Sequence, residues 1–413
     1  MSSEWQTVEI GSICLGIYDG PHATPKKTTE GPIFLGISSL NNGQLDLSAL
    51  EHLSEEDFDK WTKRVTPQAG DIVFSYETRL GQVAVIPAGL RCCLGRRMAL
   101  MRVDPAKAIP DYLLYAYLSP AFQDVIRQRT IHGSTVDRIP LVEFGSFPIS
   151  IPPLAVQKEV VGLLRALDDR ITLLRETNAT LEAIAQALFK SWFVDFDPVR
   201  AKMEGRAPEG MDEATVALFP DGFEESALGL VPMGWPVETL QDLLVLQRGF
   251  DLPAQDRIPG EYPIIAASGP AGTHKVAMAK GPGVVTGRSG VLGRVFLELD
   301  DYWPLNTALW VKDFRAATPC YAYEVLRLLD FSSFNAGSAV PSLNRNHVHG
   351  LKYLIPSKAC MEVYEVIAMQ LHQRVRINAL QAQTLATLRD TLLPRLISGA
   401  LRLPEAEAIL DTP

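Results

Sequence analysis

The longest regular alternation of apolar and polar positions in the chain runs from Ile151 to Phe196. The adjacent prolines Pro152 and Pro153 suit a helix start, where a missing N–H costs no hydrogen bond. Two seven-residue series follow: Val160, Leu167, Leu174, Leu181 and Leu188, and Leu164, Ile171, Asn178, Ala185 and Trp192. Seven-residue spacing keeps one narrow stripe against a partner helix, which predicts a coiled-coil helix of roughly 60 Å. An amphipathic helix packed on a globular core is the alternative.

A second stretch with the same pattern begins at Ile355 and Pro356. The two stretches match without a gap at an offset of 204 residues, and the glycine-serine pairs upstream match as well. The matching positions are Gly133-Ser134/Gly337-Ser338, Ile151/Ile355, Leu167/Leu371, Arg170/Arg374, Thr180/Thr384, Leu181/Leu385 and Leu188/Leu392. This internal repeat predicts that the partner of the first helix is the second, in the same chain.

The segments before the two helices repeat as well. Residues 1–150 contain four strand-like runs, Ile33–Ile37, Asp71–Ser75, Gln82–Ile86 and Met98–Val103, and two helical patterns, Ser54–Lys63 and Asp111–Arg129. Matches with residues 235–350 occur at offsets that fall from 230 to 209: Trp5/Trp235, Val73/Val285, Gly81/Gly293 and Pro110-Asp111-Tyr112/Pro319-Cys320-Tyr321.

The predicted fold is therefore α+β, with two similar globular domains separated by two long antiparallel coiled-coil helices in a pseudo-two-fold repeat. The predicted segments are domain 1–150, central spacer helix 151–196, connector 197–234, domain 235–354, C-terminal spacer helix 355–398 and tail 399–413.

The net charge of −9 argues against a nucleic-acid binder until its distribution is considered. Residues 201–234, in a connector rich in Pro and Gly, include seven acidic residues and only two basic ones. The remaining domains can still carry a local basic face. The five cysteines include no CxxC pair, and neither a signal peptide nor a membrane span is recognisable, so a protein of the reduced cytoplasm is expected.

Four segments resemble the specificity subunits of type I restriction-modification systems. They are DGPHATPKK (19–27), the IPPLAVQKEVV box that begins at Ile151, SWFVDFDPVRAK (191–202) and FPDGFEESALGLVPMGW (219–235). The resemblance covers essentially the whole length, and the duplicated order is its most specific part. Pro394 departs from the first copy, which has Lys190, and a proline inside a helix is expected to kink the second helix or end it early.

The resemblance implies a non-catalytic protein in which each globular domain is a target-recognition domain for one half of a split, asymmetric DNA site. It implies that two methyltransferase (modification) subunits dock on the helices, and that restriction (translocase/nuclease) subunits join the complex. The cofactor S-adenosylmethionine is expected in the methyltransferase partner, with neither a cofactor nor a metal in this chain. Two similar domains on a rigid spacer suit two half-sites on double-stranded DNA.

Loop cations beside glycine suit contacts to phosphate or guanine, whereas a solvated surface charge is the alternative for each. The candidates for DNA contact in the first domain are Lys26, Lys27, Arg79, Arg96, Arg97, Thr135 and Arg138. Those in the second domain are Lys275, Arg288, Arg294, Asn344 and Arg345. His132, His347 and His349 lack Cys or acidic partners at ligand spacing and are interpreted as ordinary loop histidines.

An enzyme and an interaction scaffold are the two other classes of protein that the architecture allows. A DNA methyltransferase needs an acidic or Asn-Pro-Pro-aromatic box and a glycine-rich cofactor loop, and Ile151-Pro152-Pro153-Leu154 lacks both the polar and the aromatic residue. A nuclease needs paired carboxylates followed by Lys in a strand, and none is convincing. A coiled-coil scaffold whose two domains bind ligands other than DNA is the alternative function.

Two further hypotheses concern the helices. Trp192 and Phe193 lie in the SWFVDF segment and are predicted to anchor a methyltransferase subunit, although an aromatic pair near a helix end can equally fill a core. Each helix carries one Asn in its stripe, and an antiparallel register that sets Asn178 opposite Asn378 also pairs apolar residues along the seam. A hydrogen bond between the two amides is predicted to fix the register, unless one or both face solvent.

Overall fold

The computed structural model describes residues 5–48, 50–334 and 341–410. The chain divides into two compact units, which we call the first unit (Met1–Leu173 with Gln381–Pro413) and the second unit (Leu174–Leu380). The first long helix, Leu154–Phe193, and the second long helix, Lys358–Ile397, each span 40 residues and each contribute to both units. Their ends are equivalent under the 204-residue offset read from the sequence.

The first unit is built on a four-stranded antiparallel sheet. Its strands lie in the order Cys14–Asp19, Met98–Val103, Ile72–Ser75, Val83–Val85. The other sheets comprise Glu51–Leu53, Lys27–Leu35 and Cys92–Leu94; Gln6–Glu9 with Pro148–Ile151; and Leu40–Asn41 with Gln44–Leu45. The short helices are Ile10–Ile13, Ile37–Ser39, Glu55–Trp61, Pro110–Leu118, Pro120–Arg129, Leu141–Phe144 and Leu403–Leu410.

The second unit repeats this plan. Its four-stranded sheet has the order Val245–Arg248, Ala308–Asp313, Gly283–Gly287, Val295–Glu298, which corresponds strand for strand to the first. The remaining strands are Gly269–His274, Tyr262–Ala266 and Trp303–Pro304; Val237–Thr239 with Lys352–Leu354; and Phe223–Ser226 with Gly229–Pro232. The short helices are Asp197–Met203, Glu213–Val216, Leu240–Leu243, Ala254–Asp256, Pro319–Leu328, Phe331–Phe334 and Arg345–His349. The predicted α+β fold and internal repeat are confirmed.

Towards the ends of the long helices, residues of the seven-residue stripe enter the core of a unit. In the first unit Val160, Leu164 and Leu167 join the same buried cluster as Leu392 and Leu396. Burial of these side chains stabilises the seam, because it removes nonpolar surface from water. The stabilising free energy is about 25 cal/mol for each Å² buried. Arg389 of the second long helix directs its guanidinium group to Asp168 of the first, at 2.6 Å.

In the second unit the two helix segments run antiparallel. The Tyr364 hydroxyl donates to the Ala185 carbonyl at 3.2 Å, and the Trp192 and Tyr364 rings lie 6.3 Å apart. Further along the seam, the Asn378 Nδ2 donates to the Asn178 Oδ1 at 2.9 Å. The predicted hydrogen bond between the two asparagines is therefore confirmed. The Asn178 Nδ2 in turn donates to the Val375 carbonyl at 2.9 Å.

One prediction about helices is wrong, and of the kink or early end expected at Pro394, the early end is wrong. The pattern from Asp111 to Arg129 forms two helices, because Pro120 has no N–H and Ser119 is extended and accepts a bond from the Phe122 N–H. The second long helix does not end early at Pro394 but continues to Ile397. Only the N–H of one residue is lost so close to the helix end, and the Pro394 carbonyl still accepts from the Ser398 N–H at 3.1 Å.

Candidate nucleic-acid interface

In the first unit, the loop that follows strand Ile72–Ser75 gathers several predicted DNA-contact residues. Its backbone bridges to Arg138 through Glu77, and the Thr78 N–H donates to the Asp137 carbonyl. The Tyr76 N–H donates to the Arg97 carbonyl at 3.1 Å. These bonds bring together what we call the first loop cluster, residues 76–82, 95–98 and 131–138. It contains Arg79, Arg96, Arg97, Thr135 and Arg138.

The arginines of the first loop cluster differ in how firmly they are held. Arg97 is in the left-handed region, with φ +71°, and contacts the Glu77 carboxylate and the Thr78 hydroxyl, each at 3.2 Å. Arg79 donates to the Ile37 carbonyl at 3.0 Å. Arg96 and Arg138 are exposed, and within the described chain their guanidinium groups form neither a hydrogen bond nor an ion pair. These two cations are therefore available to a ligand.

Beside this cluster lies the loop of the DGPH motif. The His22 Nε2 and an Asp19 oxygen are 2.9 Å apart, the Tyr76 hydroxyl is 3.4 Å from the His22 Nδ1, and Arg64 forms a 2.5 Å ion pair with Asp19. Burial raises the pKa of Tyr76, and the carboxylates of Glu77 and Asp19 raise it further. The motif was noticed in the sequence, but its contact with Tyr76 was not predicted.

Lys26 and Lys27 lie apart from these contacts. Lys27 begins strand Lys27–Leu35 and forms a 2.5 Å ion pair with Glu51. Lys26 is exposed, and its ammonium forms neither a hydrogen bond nor an ion pair with any described residue. Thr135 is exposed in the turn closed by the bridge between Ile131 and Arg138. Among the first-unit candidates, Lys27 is therefore already neutralised by a neighbour.

In the second unit, the loop after strand Gly283–Gly287 is tied to two other segments. The N–H groups of Arg288 and Ser289 both donate to the Thr307 carbonyl, and the Gly290 N–H donates to Pro341. The Leu343 N–H donates to the Arg288 carbonyl at 2.8 Å. We call residues 287–294, 306–307 and 341–345 the second loop cluster. It contains Arg288, Arg294, Asn344 and Arg345.

Most polar candidates here are engaged within the chain. Arg288 donates to the Asn306 carbonyl at 3.0 Å, and Arg294 donates to the Ser268 carbonyl at 2.7 Å while lying over the Phe296 ring. The Asn344 side chain caps helix Arg345–His349 by accepting from the Asn346 N–H. Arg345 and Lys275 are exposed, and neither side chain forms a hydrogen bond or ion pair with described residues.

The structure adds a polar network that the sequence did not predict, corrects the interpretation of His349, and leaves part of one predicted turn outside the described residues. Asp251 accepts from Arg248 at 2.9 Å and from the Asn306 side chain, which adds a polar network beside the second loop cluster. Residues Gly337–Val340 of the turn aligned with Gly133–Asp137 lie outside the described residues. His349 is buried and accepts from the Leu246 N–H at 2.9 Å, so it supports the fold rather than lying in a loop.

The loops of the two clusters share their backbone form. Thr78 and Gly290, equivalent at the 212-residue offset, have φ +71° and +88°. Gly81 and Gly293, equivalent at the same offset, have φ +85° and +84°. A positive φ is costly for residues with a Cβ, so these bends are built into both copies. The side chains carried by the two loops nevertheless differ.

The structure contradicts the assignment of Trp192 and Phe193 to a partner-docking surface. They are 5% and 6% exposed, in an aromatic cluster of the second unit. Trp192 meets Phe219 edge to face at 5.3 Å, and Phe193 meets Tyr321 at 5.0 Å. The connector that follows the helix folds back and covers both rings, so they fill a core.

Across the described ranges, none of the helices combines the length and the apolar character needed to cross a bilayer.

Comparison with known proteins gives a consistent result. Residues 2–183 match the family described as the type I restriction modification DNA specificity domain. The specificity subunit of the type I restriction enzyme HindI from Haemophilus influenzae is 38% identical over 97 residues, which cover 23% of this chain and 21% of that protein. The MjaIX specificity subunit of Methanocaldococcus jannaschii is 22% identical over 378 residues, covering 86% and 82%.

The fold also resembles a solved structure, the S subunit of a type I restriction-modification system from M. genitalium. The TM-score is 0.57 at 16% identity, over 95% of this chain and 96% of that one. These matches agree with the repeat, the long helices and the strand order described above. Residues 2–183 therefore match the type I restriction modification DNA specificity domain, and over most of its length the chain is similar to type I restriction-modification specificity subunits.

Proposed function

We propose that this chain directs a type I methyltransferase to a split, asymmetric DNA sequence, with the first loop cluster contacting one half and the second loop cluster the other. The observation that carries the proposal is the equivalence of the two loops: the same backbone bends follow the same strand of each sheet, with different side chains. Equal frameworks with unequal side chains suit half-sites of different sequence.

The exposed cations give each cluster a way to hold DNA. Arg96 and Arg138 in the first cluster and Arg345 in the second keep their guanidinium groups available. Arginine can bind guanine with two hydrogen bonds or hold a phosphate, so these residues are the first candidates for contact. Arg79, Arg97, Arg288 and Arg294 already donate to, or pair with, chain oxygens, so they shape the loops and contact DNA through any remaining N–H groups.

The chain itself is not the enzyme of the complex. Methyl transfer would come from the modification subunits, which would bind S-adenosylmethionine, and cleavage from restriction subunits. Because Trp192 and Phe193 are buried, a different surface must dock the modification subunits. Leu173 and Ile377 are equivalent at the 204-residue offset, and they are 52% and 54% exposed on the two long helices. A repeated apolar position of this kind supports docking of two copies of one partner.

The experiment is methylation of genomic DNA by the chain reconstituted with its modification subunit, with the modified adenines mapped by sequencing. Two half-sites separated by a fixed unread spacer are expected. Arg96→Ala and Arg138→Ala should relax or weaken recognition of one half-site, and Arg345→Ala that of the other, by about 1–3 kcal/mol for each lost base contact. Lys158→Ala, at an exposed residue of the first long helix, is the matched control.

The same reconstitution tests docking through its stoichiometry. Leu173→Asp and Ile377→Asp should each remove one modification subunit from the complex in native mass spectrometry, and the double variant both. A continuous or palindromic methylation site would contradict the proposed reading of two unlike half-sites. Full occupancy by the modification subunit in the double variant would contradict the docking position alone.

A further inference from the structure

The second unit contains a cavity of about 310 Å³ whose lining residues are distinct from those of the second loop cluster. Its walls are strand Val295–Glu298 with the turn after it, helix Pro319–Leu328 and the two long helices. Six of the lining residues carry polar groups that matter here: Glu182, Glu298, Asp300, Tyr323, His372 and Arg376. The volume is at the lower end of the range for sites that hold small organic molecules.

His372 is the first sign that this cavity accommodates a ligand. Its side chain lines the cavity and is 7% exposed, and its Nε2 is buried without any hydrogen-bond partner. Burial lowers the pKa of His372 to about 4, helped by Arg327, so the ring is neutral near pH 7. Nearly all buried polar atoms in folded proteins find a partner, and this nitrogen in the cavity wall has its acceptor capacity free for a bound partner.

The carboxylates of the cavity indicate the charge of that partner. Asp300 is paired with Arg376 at the cavity wall, but Glu182 and Glu298 have no ion pair or hydrogen bond to described side chains. Burial raises the pKa of Glu298 to about 7, and the charge of Asp300 adds to the effect. Nearby, Glu324 and Arg327 neutralise each other at 3.1 Å, so they leave the excess negative charge of the cavity unchanged.

The first unit shows what the repeat places at the equivalent position. The mate of His372 is Asp168, which accepts from the Tyr115 hydroxyl at 2.6 Å and pairs with Arg389 at 2.6 Å. The mate of Arg389 in the second unit is Ala185. The first unit therefore supplies a guanidinium group from its own chain, while the second has a methyl group at that place.

We infer that the cavity binds a small organic cation, an ammonium or guanidinium group on a short apolar chain, between Glu298, Glu182 and His372. The carboxylates would accept hydrogen bonds from the cation, the neutral His372 ring would offer its Nε2 as an acceptor, and Val295, Leu297 and Val375 would contact the apolar chain. Within the described residues no group of three or more His, Cys, Asp or Glu side chains is arranged to hold a metal ion. That observation favours an organic cation over a metal.

An alkylammonium group can come from a free polyamine or from a lysine of a partner protein, and the chemistry is the same. The first arm of the test titrates the full-length chain with putrescine at pH 8 by calorimetry, beside the uncharged 1,4-butanediol. One site per chain is expected for putrescine and none for butanediol. Glu298→Gln and His372→Leu should each weaken binding at least tenfold.

Two controls make the result specific. Because the chain is acidic overall, putrescine could adhere to any exposed carboxylate, so Glu238→Gln, at an exposed residue of the same unit, must leave the affinity unchanged. Glu298→Gln keeps the shape of the side chain. A thermal melting curve must show that this variant is folded, so that weaker binding is not caused by unfolding.

The second arm measures affinity for the modification subunit, where a partner lysine would appear as a tenfold loss in Glu298→Gln but not in Glu238→Gln. The inference is overturned if neither arm responds to Glu298→Gln, or if putrescine binds several sites with equal affinity in all variants. Neither arm depends on DNA recognition. Failure of the inference about the cavity therefore leaves the proposed reading of DNA unaffected.

Discussion

The two units share their strand order, yet they are packed differently where the long helices enter. In the first unit Ile397 borders an apolar cavity of about 310 Å³ and Asp168 is satisfied by Tyr115 and Arg389. In the second unit the mate of Ile397 is Phe193, within an aromatic cluster, and the mate of Asp168 is His372, whose Nε2 has no hydrogen-bond partner among the described residues. The comparison teaches that the repeat specifies a backbone framework, and that each copy completes its interior with its own side-chain chemistry.

The largest expected effect concerns the equivalent positions Phe193 and Ile397. Phe193→Ala should lower the free energy of unfolding by about 3–5 kcal/mol, because it leaves a hole among Trp235, Tyr321 and Tyr364. Ile397→Ala should cost less, about 2 kcal/mol, because this side chain already borders a cavity. Chemical denaturation followed by circular dichroism measures both.

Val194→Ala is the control for that pair, because Val194 follows Phe193 in the chain but is exposed. It should change stability by less than about 0.5 kcal/mol. Equal losses at Phe193 and Ile397 would remove the packing difference between the units.

The second prediction concerns Glu298, whose equivalent at the 212-residue offset is the buried Ile86. The folded pKa of Glu298, about 7, lies above the ordinary 4.5, so the folded state holds its proton more tightly and loses stability as the pH rises from 4.5 to 7. Glu298→Gln should therefore be more stable than the parent at pH 8, by about 2 kcal/mol, with no difference near pH 4.

Thermal unfolding across this pH range, in buffer without amines, measures the difference. The lowered pKa of His372 makes stability rise with pH between about 4 and 6.5, but this contribution is common to both proteins and cancels. A constant difference at all pH values would show that the carboxyl group is not the cause.

The smallest expected effect lies in the seam of the second unit. Asn378→Ala removes the hydrogen bond to Asn178 and should cost about 1 kcal/mol. The loss is modest because Asn178 is partly exposed and still donates to Val375, and because the Asn378 Oδ1 has no partner to lose. Leu at both positions should be neutral or stabilising in denaturation, since apolar pairs in a seam need no hydrogen bonds.

The double variant sharpens the hypothesis about register. If the asparagine pair fixes the register, Leu at both positions should broaden the cross-linking pattern of cysteine pairs placed along the seam. A single unchanged pattern would mean that the apolar residues alone set the register.

Much of the fold could be predicted because it rests on local regularities. The seven-residue series identified both long helices, and the falling offsets identified the second copy of the globular segment. The break at Ser119 was missed because apolar residues continue on both sides of it, and the local cap competes with helix continuation.

The candidate interface was less predictable, because burial and partners depend on segments distant in sequence. Phe219 from the connector and Trp235 directly after it contact the rings of Trp192 and Phe193, and no local sequence pattern predicts these contacts. Similarly, Arg79 is held by the carbonyl of Ile37, some forty residues earlier in the chain. Positive charge beside glycine selected two loops that prove equivalent in the two units, but it could not tell which guanidinium groups were already engaged.

The interleaved composition of the first unit has a consequence for its synthesis on the ribosome. Its buried cluster combines Ile10, Phe74 and Leu164 with Leu392, Leu396 and Leu401. The ribosome must therefore synthesise the whole of the second unit, Leu174–Leu380, before the first unit can close its core. The second unit is thus the first to have all its residues synthesised. Until the C-terminal residues follow, the N-terminal strands of the first unit keep apolar surface exposed to water. Chain closure over so long a separation is slow, so this interval is the stage of its biogenesis most exposed to aggregation.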